Sequence, residues 1–156
     1  MAYERLLIEA YKNDVDVYEK TMKTRNKGLY GDNVIWINDN IETSIEKACV
    51  LAEELGHHHT SSGDILDQAC LGNKKQERLA RSWAYKELIP LKKIIGAYKE
   101  GVKNKYELAE YLDVTEAFLI DALKRYKEEH GLYTNLGKYT IYFEPLGVLE
   151  LFDNNK

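Results

Sequence analysis

Residues 43 to 60, TSIEKACVLAEELGHHHT, constrain this chain more than any other stretch, because they specify both where a helix begins and what it must bury. Thr43-Ser-Ile-Glu46 has the spacing of a capping box, in which a hydroxyl and a carboxylate three residues apart satisfy amide donors that the first turn leaves orphaned. From there Ile45, Ala48, Cys49, Ala52, Leu55 and Gly56 recur on one face at about 100° per residue. The pattern predicts a helix that ends near Thr60-Ser-Ser-Gly63, with one apolar face that other elements must cover.

The flanking segments supply that cover. Leu6, Leu7 and Ala10 predict an amphipathic helix over 3 to 12, stopped by Asn13-Asp14. VDVYEK (15 to 20) and VIWI, bounded by Asn and Asp after the turn residues Gly31-Asp32-Asn33, predict a small antiparallel sheet. Further helices are expected over KKQERLARSWAYKELI, which must stop before Pro90, over LKKIIGAYKEG, and within 104 to 130, with Gly101 and Gly131 as stops. YTIYFEPLGVLELF predicts a C-terminal β-hairpin turning at Pro145-Leu-Gly. The expected class is α+β, with a principal domain over 1–100, a helix-turn-helix-like region over 101–131 and a β-rich tail over 132–156.

Bulk properties exclude several function classes. Of 156 residues 31% are charged, yet the net charge is only -4, which lacks the basic excess that draws proteins to nucleic acid. The two cysteines, Cys49 and Cys70, have no C-x-x-C spacing and read as reduced thiols, as in the cytoplasm. Glu4, Arg5 and Glu9 interrupt any apolar run at the N-terminus, and no window approaches a membrane span, so a soluble cytoplasmic protein is expected.

The chemistry sits at the end of the helix, in EELGHH. In the H-E-x-x-H pattern two residues four apart hold a metal on one helix face, and the glutamate after the first acts as base. In that register Glu53 and His57 are the ligands and Glu54 is the base. Pairing Glu54 with His58 instead would put Leu55 in the base position. Carboxylate oxygen binds zinc as imidazole does, although an anionic ligand in the first position weakens acidification of bound water and favours harder ions such as Mn2+. The plainer reading is a solvated helix end with histidines at the negative pole of the dipole. His59 turns toward the apolar face, and His58 reads as exposed or as a supporting donor.

CVLAEELGHHHTSSGDI, followed by Glu77, Ala80, Trp83, Ala84 and Pro90 in the pattern EXXAXXWAXXXLIP, resembles the ImmA/IrrE family of metallopeptidases. The likeness covers roughly 3 to 130 and is strongest over 48 to 90. It implies a gluzincin-like minimal metallopeptidase core with Zn2+ bound, Glu54 as base, and Glu77 as third ligand on the next helix, beside Glu53 and His57. Asp64, just past the helix, is the rival third ligand. A neighbouring edge strand, VIWIN, would hold substrate in extended form, and Tyr85 or a spare histidine would stabilise the oxyanion. Phage and mobile-element members resemble anti-repressors, which implies an endopeptidase that cleaves or inactivates a helix-turn-helix repressor. The alternative is a non-catalytic repressor-binding protein whose metal site is vestigial. Direct DNA binding by 106 to 131 is disfavoured, since its second helix, EAFLIDALKRY, carries only Lys124 and Arg125, and late.

Overall fold

The computed structural model describes residues 1–23, 25–60 and 73–151, which divide into two compact units, Met1–Leu88 and Ile89–Lys156. The division precedes the boundary at residue 100 expected from the sequence, and the second unit holds both the later helices and the β-rich tail. No described helix is long and apolar enough to cross a membrane.

The first unit opens with α1, Ala2–Lys12, which buries Leu6 and Ala10. Asp14, in the left-handed region at φ 58°, turns the chain so that the Val15 amide donates to the Ala10 carbonyl at 2.9 Å. Strand β1, Asp16–Lys20, follows, then β2, Gly28–Gly31, and β3, Val34–Asn38. Asp32 and Asn33, both at positive φ, close β2 and β3 into a two-residue hairpin, the geometry that Asp and Asn tolerate best among residues with a Cβ.

The sheet order is β1-β3-β2, and β1 runs parallel to β3, so the sheet is mixed rather than antiparallel. VIWIN is therefore the central strand, not an edge. The reason is the parallel pairing of β1 with β3, which puts β1 on the far side of the hairpin; side-chain alternation carries no trace of it. Ile35 and Ile37 are wholly buried, while Trp36 faces the other way and stacks on Tyr18 at 5.1 Å.

Helix α2 is Ser44–Thr60, and the Thr43 hydroxyl accepts from the Glu46 amide at 3.1 Å as the capping pattern predicts. The Glu46 carboxylate reaches the Lys27 ammonium at 2.6 Å. Helix α3, Asn73–Leu88, packs along α2 through Ala80, Ala84 and Leu88, and these two helices share the most extensive interface in the molecule. Their closest approach is at Gly56. A Cβ there would collide with the Ala80 carbonyl oxygen and stand 2.8 Å from its carbon, so only glycine lets the two backbones meet.

In the second unit α4 is Leu91–Lys99, α5 is Lys105–Leu112 and α6 is Glu116–His130. Asn104 caps α5 and Thr115 caps α6, each accepting from the amide three residues on, and Asp113 at φ 55° makes the turn between these helices. Leu108, Ala109, Leu112, Val114, Phe118 and Leu119 are all buried, as their spacing predicted. The Tyr126 hydroxyl donates to the Ile89 carbonyl at 2.7 Å, tying α6 to the start of the unit. The tail forms a three-stranded antiparallel sheet, β4 Tyr133–Leu136, β5 Tyr139–Phe143 and β6 Leu146–Glu150, rather than a hairpin. Gly137 at φ 61° adds a turn ahead of the expected one, and Leu146-Gly147 belong to β6 while the turn falls at Glu144-Pro145.

Gly56→Ala, which in an ordinary helix interior stabilises by up to about 1 kcal/mol, is expected here to destabilise by about 2 to 3 kcal/mol. Urea unfolding of both proteins measures the difference, and an unchanged midpoint would contradict the close approach.

Candidate metal centre and active site

The 3.6-residue helical repeat sorts the residues at the end of α2 onto distinct faces. Glu53 and His57 lie one turn apart, toward α3, while Glu54 and His58 lie one turn apart, toward β2. On α3, Glu77 precedes Ala80 by one turn, so the Gly56–Ala80 contact brings it opposite His57. The His57 Nε2 and Glu77 Oε1 atoms are 3.1 Å apart, with the carboxylate half exposed. Arg81, one turn further along α3, approaches the other Glu77 oxygen at 3.9 Å.

That separation suits two donors of one cation. Metal bonds of about 2.05 Å in a tetrahedron place neighbouring ligand atoms about 3.3 Å apart, within a few tenths of an ångström of what is seen between imidazole and carboxylate. Among the described residues, no three His, Cys, Asp or Glu side chains are gathered as a ready-made cage. Of the ligands expected from the sequence, His57 and Glu77 are thus brought together, and Glu53 is near enough to act on Glu54. Asp64, the rival third ligand, lies outside the described residues.

Glu54 is the most perturbed acid of the site. Burial pushes its carboxyl from 4.5 up to about 8, and the negative charges of Glu53 and Glu77 push in the same direction. What buries it is β2. A Cβ on Gly28 would lie 2.7 Å from Val50 Cγ1, 3.1 Å from Glu54 Cγ and 3.2 Å from its Oε1, so the absence of a side chain at 28 lets the strand pass close over the acid. A base that titrates near the working pH is the kind best matched to proton transfer in either direction. A cation bound beside it would draw the carboxyl back down.

The remaining histidines are held elsewhere. Two residues after Gly28 on the same strand face, the Tyr30 hydroxyl meets His58 Nδ1 at 2.8 Å, and burial, with His59 nearby, keeps the His58 imidazole below its ordinary range. His59 stacks on Trp83 at 4.6 Å and 20°, and its Nε2 is 3.9 Å from Glu9 on α1. The Trp of the EXXAXXWA pattern is therefore the floor under the end of α2. Tyr85, considered for the oxyanion, is only 6% exposed and belongs to the core. Gly28 and Tyr30 escaped sequence reasoning. Their signal was the Gly-x-Tyr-Gly run before the hairpin, of which only Gly31 enters the sequence reading, as a turn residue.

A mixed sheet backed by a helix that carries an acid and an imidazole, with a buried acid between helix and strand and a second carboxylate from the following helix, is the framework of a metallopeptidase-type protein. The chain matches the family model described as the IrrE N-terminal-like domain, peptidase family M78, over residues 10–124, and belongs to that family of metallopeptidases. Among curated proteins none matches it.

The raised Glu54 carboxyl has a consequence for stability. In the unfolded chain the group ionises near its ordinary 4.5, whereas the folded protein keeps the proton up to about 8. Its stabilising contribution is complete below the lower value and is lost as pH rises through the upper one. In chelator, the melting temperature is expected to fall between about pH 5 and pH 9, and Glu54→Gln should flatten that fall. Parallel slopes for the two proteins would show that the acid is not buried as described.

Proposed function

We propose that the protein is a metal-dependent endopeptidase whose ligands are Glu53, His57 and Glu77 and whose base is Glu54. The observation that carries this reading is the 3.1 Å approach of His57 to Glu77 across two helices, beside a buried acid at 54. A bound Zn2+ or Mn2+ ion would supply Lewis acidity toward a peptide carbonyl and its attacking water. Glu54 takes the proton of that water and returns it to the departing amine, a task suited to an acid whose proton affinity lies near neutrality. Among the described residues strand β2 is an edge strand, and it passes close over Glu54, so its outer backbone edge can align an extended peptide with the base. The substrate we propose is a helix-turn-helix repressor.

A second reading, a repressor-binding protein with a vestigial metal site, is favoured by the carboxylate at 53 in place of a first imidazole. Direct DNA binding has little support from α6: its late Arg125 is engaged by Glu128 at 3.3 Å and Glu129 at 3.4 Å.

Metal titration with zinc and with manganese, followed by incubation with the repressor, separates the readings. The endopeptidase predicts metal binding, metal-dependent fragments, and a loss of about 10² to 10⁴ in rate for Glu54→Gln with metal affinity retained. Glu53→His should raise zinc affinity roughly tenfold or more by restoring an imidazole donor. A stable complex with uncut repressor, unaffected by Glu54→Gln, establishes the binding protein instead.

A further inference from the structure

The second unit carries a concavity that the peptidase reading leaves unused. Its volume is about 490 Å³, within the range of small-molecule sites, and one wall is a stripe of α4 in which Lys92, Ile95 and Lys99 follow one another at helical spacing. The other wall is the turn between β4 and β5, contributing Leu136, Lys138 and Tyr139.

Two cations from these separate walls converge on one ring. The Lys99 ammonium lies 5.0 Å and the Lys138 ammonium 5.5 Å from the centroid of Tyr139, whose side chain is almost wholly buried beneath them. Gly137, at φ 61°, makes the turn that carries Lys138. Attraction between a cation and an aromatic face is modest at an exposed site and does not offset the field of a second cation at similar range.

Among the described residues, charge is balanced at only one of the three lysines. Glu150 meets Lys138 at 2.9 Å, and that carboxylate, with a smaller contribution from the Tyr139 hydroxyl, holds the Lys138 ammonium above its ordinary range. Among the described residues Lys92 and Lys99 have no acidic partner. The concavity therefore combines an apolar floor of Ile95, Leu136 and the ring of Tyr139 with two uncompensated positive charges at its rim, in a protein whose net charge is negative.

We propose that this concavity of the second unit is a binding site for a small organic phosphate monoester. The ammonium groups of Lys92 and Lys99, which meet no acid among the described residues, match the two charges of a phosphate monoester near neutral pH. Lysine is a point-charge partner suited to phosphate oxygens. The apolar floor takes the organic body, which inorganic phosphate lacks.

The test uses the full chain, with phenyl phosphate and inorganic phosphate as probes, and follows lysine, glycine and tyrosine resonances by NMR at low ionic strength. Phenyl phosphate is expected to shift Lys99, Gly137 and Tyr139 saturably and to bind at least fivefold tighter than inorganic phosphate. Lys92→Gln combined with Lys99→Gln changes only exposed side chains and should weaken binding at least tenfold. Glu150→Gln, which releases Lys138 from its counter-charge, should tighten it severalfold. No saturation by about 20 mM phenyl phosphate, a limit far weaker than ordinary ligand affinities, overturns the proposal. Unchanged affinity in the double lysine variant, or equal affinity for both probes, overturns it as well.

Discussion

The contact between Gly56 and the backbone of Ala80 is the constraint on which the candidate site rests. Helices with side chains at their crossing lie 8–10 Å apart; a glycine against an alanine permits a closer approach, and this pair has no room for a single added methyl group. That closeness is what turns two distant stretches of chain into one site. Glu77 is twenty positions beyond His57, yet the two meet at 3.1 Å because each lies within one turn of the crossing. A wider crossing would leave each as an ordinary surface residue in water.

A second glycine does the same for the acid. Gly28 lets β2 lie against α2 where Glu54 emerges, and dehydration of the carboxyl follows from that approach. The site is therefore built from two absences of side chain, one under each neighbour of α2, and its electrostatics are a result of packing. The negative charges of Glu53 and Glu77 add to that dehydration, so the Glu54 carboxyl holds its proton far above the usual carboxylate range. The same helix end shows how little a run of identical residues says about role: the three histidines face Glu77, Tyr30 and Trp83 in turn, because successive residues are rotated by about 100°.

The two units differ in what they present. In the first, acidic groups converge beside an edge strand. In the second, lysines from a helix and from a turn converge over a tyrosine. A chain with a small net charge can thus hold strongly unlike local fields, which composition averages away.

Local features were legible from the residues alone. The Thr43 cap, the start of α2, the turn at Asp32-Asn33, the stop before Pro90 and the buried set between α5 and α6 all follow from bonds and spacings within a few residues of one another, and the structure has each of them. Glu54, His57 and Glu77 could be singled out in the same way, by helical register and by family likeness. Sheet order, the central place of VIWIN, the strand Tyr133–Leu136 and the roles of Gly28 and Tyr30 depended on which distant segments come to lie side by side. Hydrogen bonds to the next turn are encoded by short-range stereochemistry, whereas the proximity that buries an acid or pairs a histidine with a carboxylate exists only once the chain has closed on itself.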